Sequence, residues 1–334
     1  MKAVILQNIN QPLIIDNVDL TELNIGQVLV RVTTSGLCGA QLQEIAGLKG
    51  NSKFVPHLMG HEGCGYVEDV GPGVTRVKKG DKVIMHWRKG EGIEALFPKY
   101  ILNGRVITSG KITTLSEYSI VSENRLTPVP REAPDELCAL LGCGLSTALG
   151  VVNNDALVKF GESVLVIGCG GVGLNIILGC KLASAGNVYG LDRTVEKEKL
   201  VNDFNGIYIS NIDQIKEKID CIIDTTGLLE IVSDCLPLLS TRGRLILVSQ
   251  PKEFTNLTIK NPSNLFSTNG QVIKTTQGGG VNPSEDFLRY LNLFKKEKLP
   301  IEKLITHTFK LDEINTAVDI LRSGKAGRIL IKIS

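Results

Sequence analysis

The sequence predicts an α/β chain in two parts: a β-rich, barrel-like part and a doubly wound parallel sheet. Three observations predict it. Short apolar runs punctuated by glycine turns fill the first 150 residues. From Gly161 onward, apolar runs of strand length alternate with helical stretches, as parallel β-α-β units require. Within that second part, the apolar run Val164 to Ile167 stops at Gly168-Cys169-Gly170-Gly171-Val172-Gly173, and an Ala/Leu-rich helical run follows.

Taken in order, Gln27 to Thr33 alternates as a half-buried strand does, and Gly65 to Val70 and Asp81 to Met85 are further strand candidates. Gly-Pro-Gly at 71–73 and Lys-Lys-Gly-Asp at 78–81 are turns. In the second part the strand candidates are 164–167, 188–191, 219–223, 244–248 and 271–274. The tail supplies helices over about 284–296 and 311–322; Gly324 and Gly327 break the second, and a terminal strand runs from Arg328 to Ile333. These spans assign residues 1–150 and 285–334 to one domain and 151–284 to the other.

Composition narrows the function classes. At 334 residues, 43% hydrophobic and 22% charged, the chain is an ordinary globular one. A net charge of +2 gives no global field for nucleic acid or anionic membrane. Lys295 to Lys298 reads as a solvated helix end. The apolar run at the N-terminus is too short for a signal, and the longest apolar tract, Leu137 to Val152, is interrupted by glycines, Ser146 and Thr147. A cytoplasmic location is expected. The eight cysteines contain no C-x-x-C pair, so thiols or metal ligands are expected rather than disulfides.

The glycine turn carries the first functional signal. In a strand-turn-helix setting, Gly168 makes the tight turn, Gly170 lets a pyrophosphate approach the backbone, and Gly173 lets helix and strand pack closely. The helix start at Gly171 and Val172 offers N–H groups to phosphate. Asp192, 19 residues after Gly173, ends the next apolar run, where a carboxylate accepts from a ribose 2′-hydroxyl and repels a 2′-phosphate. NAD is therefore expected over NADP, with Arg193 beside the acid as the feature pulling the other way.

The second signal is Gly60-His61-Glu62-Gly63-Cys64-Gly65 with Gly71 and Val74, together with Cys38 in SGLCGAQLQE and Cys143 in LLGCGLSTALG. This set resembles the zinc-dependent alcohol dehydrogenases of the medium-chain dehydrogenase/reductase superfamily, over nearly the whole chain. The resemblance implies a GroES-like catalytic domain plus a Rossmann domain, with the active site in the cleft between them. It implies one catalytic zinc held by Cys38, His61 and Cys143, with Glu62 beside it and able to visit the metal. A Cys2His shell leaves a fourth position for substrate oxygen; alcohol dehydrogenase is the standard instance of that set. It further implies that Thr226 lines the cofactor crevice, Arg328 contacts the pyrophosphate, and Thr147 lies near the nicotinamide or else caps a helix.

Three departures from the family pattern stand out. The stretch His86 to Leu115 has no cysteine, so no structural zinc is expected. Beside the first ligand, Ala40, Gln41 and Gln43 replace the usual hydroxyl, Asp and His, so the family's proton relay is absent. Gln41 is left to hold the other nitrogen of His61 by a neutral hydrogen bond. Glu44, His86, Glu62 or a substrate hydroxyl remain as proton carriers. Third, Trp87 falls where the family lines its pocket, either as a wall or as a core aromatic, and Arg88 and Lys89 are solvated charges or anion contacts.

The expected function is hydride transfer between NAD and a primary or secondary alcohol, with a polyol, sugar or sugar-phosphate as the substrate class and a homodimer or homotetramer as the assembly. Two other readings stay open: a zinc-free quinone or enoyl reductase on the same fold, and a catalytically silent NAD-binding regulatory protein.

Overall fold

A computed structural model describes residues 1–50, 54–260, 262–263 and 270–333. The chain divides into two compact units, Met1–Gly144 with Asn282–Ser334, and Leu145–Val281.

The first unit is built on two largely antiparallel sheets. Its organising strand, Gln27–Leu37, pairs with Tyr118–Ser122, Glu62–Val70 and Arg328–Lys332. The alternation QVLVRVT works as read: Val28, Val30 and Val32 point into one core with Val67, Val83 and Met85. Each such buried aliphatic side chain is worth about 1.5–3 kcal/mol over leaving it in water. The strand runs longer than its alternating part because Thr34, Ser35 and Gly36 are themselves buried against Lys332, Gly63 and Leu330. The N-terminal run, read only for its shortness as a signal, is the strand Lys2–Leu6.

Register then brings sequence-distant residues to one corner. Gln27–Leu37 and Glu62–Val70 are antiparallel with Ser35 opposite Gly63, so the end of the first, leading into Cys38, meets the start of the second, at His61 and Glu62. The terminal strand places Ile329 opposite Leu37, which brings Arg328 to the same corner. At Cys38 the chain turns into helix α1, Gly39–Ile45, with Cys38 as its N-cap. The apolar tract Leu137 to Val152 is not one helix. It is α2, Asp135–Leu141, then α3, Gly144–Gly150, which runs into a π-helical turn at Val151–Asp155, and the break between α2 and α3 holds Cys143. Among the described residues, no single helix is long and apolar enough to cross a membrane.

The second unit carries six parallel strands: Val164–Ile167, Val188–Leu191, Ile207–Ile209, Ile219–Asp224, Leu239–Leu247 and Val272–Thr275. Numbered within the unit, their order across the sheet is 3-2-1-4-5-6. The order reverses beside Val164–Ile167, at the carboxyl end of which the glycine turn leads into α4, Gly171–Leu182. A reversal of this kind opens a crevice for ligand at the strand ends.

Candidate metal centre and cofactor turn

Cys38, His61 and Cys143 come together in the first unit, each offering one ligand atom, with all three atoms within 4.8 Å of one another. Tetrahedral zinc with bonds of about 2.1–2.3 Å needs its ligand atoms roughly 3.5–3.8 Å apart, so the donor set fits that metal in spacing and in softness. Cys38 is buried, while His61 and Cys143 are part-exposed, which leaves one side of the cluster approachable.

The electrostatics suit a cation. A hydrogen bond from Cys143 holds the Cys38 thiol well below its ordinary range against the opposing effect of burial, and His61 and Arg328 assist. The same sharing drives Cys143 well above its ordinary range. Burial opposes charge on His61, but its hydrogen bond with Cys38 and the charges of Cys38, Glu62 and Glu44 outweigh burial and raise it.

Glu62 stands beside the cluster and not in it. The sequence reading counts it among the metal groups; here its Oε2 accepts the Gly144 N–H at 3.1 Å and its Oε1 pairs with Arg328. The reason is burial: both side chains are almost wholly excluded from solvent, and a buried carboxylate takes the nearest cation. Burial pushes the Glu62 carboxyl up, with Arg328 opposing it. The pairing of Arg328 with Glu62 was not foreseen, because 266 residues separate them.

Gln41, in the first turn of α1, accepts the Cys38 N–H at 2.9 Å through Oε1 and brings its Nε2 to 2.7 Å from His61 Nδ1. The expected contact of the neutral amide with the second ring nitrogen of His61 is therefore present. Glu44, one turn further along α1, is 3.8 Å from Lys49, and its charge is felt at His61. His86 does not serve as a proton carrier. Its Nδ1 contacts the Arg88 carbonyl at 2.7 Å, its Nε2 contacts Thr127 Oγ1 at 3.0 Å, and Phe287 packs edge-on against the ring. Burial pushes it down to about 4.

Trp87 packs against the valine core, and its carbonyl accepts from Arg125. Arg88 lies 5.8 Å from the Trp87 ring centroid, and Lys89 lies 4.0 Å from Glu94. In the cysteine-free stretch a knot of charge forms instead: Glu94 takes Asn124, Arg125 and Lys111 as partners.

In the second unit Gly168 has φ +88° and Gly173 packs so tightly that a Cβ there would lie 1.9 Å from the Gly168 carbonyl oxygen. Above Gly170 a Cβ would meet nothing within 4 Å, so the backbone there is open to a ligand. Gly171 and Val172 open α4, whose first-turn N–H groups have no partner within the helix. Asp192 accepts the N–H groups of Cys169 at 2.8 Å and Thr194 at 2.9 Å, tying the turn to the next strand end; Arg193 is exposed. Thr226 donates to Asp224 at 2.6 Å, while Thr225, not singled out from sequence, donates to the Ile167 and Gly168 carbonyls and pins the turn. Thr147 sits inside α3, so it is not a cap.

Lys197 was also missed. It is 1% exposed, and burial pushes its amine down against the pull of Asp192. In the string Glu196-Lys197-Glu198-Lys199 nothing separates it from a surface lysine.

Comparison with known proteins agrees with this geometry. Residues 24–131 match the family model described as alcohol dehydrogenase GroES-like domain, and residues 189–330 match that described as zinc-binding dehydrogenase. Alcohol dehydrogenase 6 of Peromyscus maniculatus is 30% identical over 99% of this chain and 97% of its own. Among solved structures, an alcohol dehydrogenase zinc-binding domain protein from Burkholderia ambifaria matches with a TM-score of 0.90 at 23% identity, covering 100% of this chain and 98% of that one. Benzyl alcohol dehydrogenase from Acinetobacter calcoaceticus matches with a TM-score of 0.88 at 21% identity, covering 100% and 99%. Ligand set, fold and full-length identity agree: the chain belongs to the zinc-dependent alcohol dehydrogenase family of the medium-chain dehydrogenase/reductase superfamily.

Proposed function

We propose that this enzyme is a zinc-dependent, NAD-linked alcohol dehydrogenase acting on a small polar alcohol such as a polyol, sugar or sugar-phosphate, and reducing the corresponding ketone or aldehyde in reverse. The observation that carries this reading is the convergence of Cys38, His61 and Cys143, two thiols and an imidazole, beside a buried acid-base pair. When bound, zinc polarises the substrate oxygen and the nicotinamide exchanges hydride with the carbon that bears it.

The chain's own residues do the rest. Cys38, His61 and Cys143 hold the metal and leave one position for substrate. Glu62 and Arg328 supply a fixed, nearly neutral charge pair beside it. Gly168 to Gly173 receive the pyrophosphate, and Asp192 with Lys197 binds the adenosine ribose. Thr226 and Thr147 line the nicotinamide side. Glu44 carries the proton that Ala40 has no hydroxyl to relay. One metal per chain, a cytoplasmic location and a homo-oligomer belong to the same proposal. The last is supported by Val272–Thr275, a strand at the edge of the parallel sheet with all four residues exposed, an edge that invites pairing.

The test is metal analysis of protein purified without chelator, followed by a panel of polyols and sugar phosphates with NAD read at the NADH absorbance. About one zinc per chain and turnover of at least one class are expected. Zinc without turnover of any alcohol favours the silent NAD-binding reading, for which the missing hydroxyl at Ala40 speaks. No zinc sinks the proposal and favours a zinc-free reductase.

A further inference from the structure

The amide of Gln41 has one oxygen and one nitrogen, and the structure commits both. Oε1 faces the Cys38 N–H, a group that can only donate, at 2.9 Å. Nε2 therefore faces His61 Nδ1, at 2.7 Å, and an amide nitrogen can only donate. With the ring neutral, Nδ1 must then present its lone pair and the imidazole proton must sit on Nε2. Metal coordination demands the reverse. With Nδ1 on Gln41, Nε2 is the nitrogen open to a metal, and it binds through its lone pair only if the proton has moved to Nδ1. That Nδ1–H then meets an NH2 group. A carboxylate at this position would have an oxygen for each donor; the amide has one oxygen for two.

We propose that Gln41 is a positioning residue that sets metal occupancy: it holds the metal-free His61 in the Nε2–H tautomer, and loading the centre requires its amide to turn and release the Cys38 N–H. The centre consequently binds its metal less tightly than an isosteric carboxylate at position 41 would allow. Cys38 couples the two events, since it is both a metal-ligand candidate and the N-cap of the helix that carries Gln41. The inference rests on the metal reading of the Cys38, His61 and Cys143 cluster.

The test uses the full chain stripped of metal, with 15N-labelled histidine, and the isosteric variant Gln41→Glu. In the metal-free wild type the neutral His61 ring should show protonated Nε2 and bare Nδ1, and zinc titration should invert the two. In Gln41→Glu, Nδ1 should carry the proton before any metal is added. Chelator competition should give a zinc affinity about ten- to a hundredfold tighter than wild type. A protonated Nδ1 in the metal-free wild type overturns the proposal, as does a Gln41→Glu zinc affinity within about twofold of wild type. Failure of the metal reading would look different: zinc would bind neither protein, and the His61 nitrogen signals would not respond to titration.

Discussion

The two sites are built in opposite ways. The candidate metal centre is assembled from side chains on elements far apart in sequence: the end of Gln27–Leu37, the start of Glu62–Val70, the break between α2 and α3, and Arg328 for the charge pair. The candidate cofactor turn is one continuous stretch that offers mostly backbone: a positive φ at Gly168, an absent Cβ at Gly173 and open space above Gly170. The first should fail by loss of a functional group with the fold intact. The second should fail by the addition of a single methyl.

The largest effect tests the first half of that contrast. Cys143→Ser should empty the metal centre and lower alcohol oxidation by about a thousandfold, the several kcal/mol expected of lost polarisation. NADH affinity should change less than about twofold, because the glycine turn loses nothing. Metal analysis and NADH fluorescence titration measure both. A variant that loses NADH binding as well would show that the two sites are not independent.

The second half is tested by two alanines. Gly173→Ala places a Cβ 1.9 Å from a carbonyl oxygen, so it should destabilise its unit by about 3 kcal/mol and abolish cofactor binding. Gly170→Ala has open space and should unfold like the wild type while weakening NADH about tenfold, about 1.4 kcal/mol. Calorimetry and NADH titration separate the two. Unchanged NADH binding in Gly170→Ala would remove the pyrophosphate from this turn.

Asp192→Ala sharpens the cofactor side further. The carboxylate ties Cys169 to Thr194 and is, under the proposed function, the group that would reject a 2′-phosphate. The ratio of kcat/KM for NAD over NADP should fall by at least about tenfold. An unchanged ratio would assign discrimination elsewhere, with Lys197 the first residue to examine.

How much of this was legible follows from the same contrast. The glycine turn, the acid at 192 and the parallel sheet could be read directly, because local backbone demands leave local residues. The trio Cys38, His61 and Cys143, which the fold brings together, was legible through residue type and order. What surrounds them was not: the Glu62 and Arg328 pair is set by strand register across 266 residues, and no local signal announces it. Lys197 is hidden among exposed charges, and the fixed state of His86 depends on Thr127 and Phe287, which only folding supplies. Ends of elements shifted for similar reasons, as where buried Ser35 and Gly36 prolong a strand past its alternating part.

A smaller effect concerns the cysteine-free stretch, where Glu94 gathers Asn124, Arg125 and Lys111. Burial alone would raise the Glu94 carboxyl, but hydrogen bonds from Asn124, Arg125 and Lys111 outweigh it and hold it down at about 2. A carboxyl lowered on folding stabilises above its unfolded value of about 4.3, and the contribution is lost as pH falls from there towards 2. Glu94→Gln should therefore cost about 1 kcal/mol at pH 7, less than the full linkage because the side chain is 30% exposed. The difference from wild type should vanish near pH 2 in denaturant titrations across that range. A pH-independent difference would mean that packing, and not charge, holds the knot.

The smallest effect bears on the metal centre's missing hydroxyl. Ala40 cannot pass a proton, His86 is fully engaged, and Glu62 is held by Arg328, so Glu44 is the remaining carboxylate on α1 whose charge reaches His61. It is only loosely paired, 3.8 Å from Lys49, and part-exposed, as a group handing protons to solvent must be. Glu44→Gln should lower kcat about threefold, well short of the roughly hundredfold or more of a sole general base, because water can substitute at an open site. Ala40→Ser added to that variant should restore part of the rate by offering a hydroxyl one turn earlier on the same helix. A solvent isotope effect that grows in Glu44→Gln and shrinks again in the double variant would place proton transfer on this path. If neither substitution moves kcat or the isotope effect, the proton leaves by a route that α1 does not touch, and a hydroxyl of the substrate itself becomes the carrier.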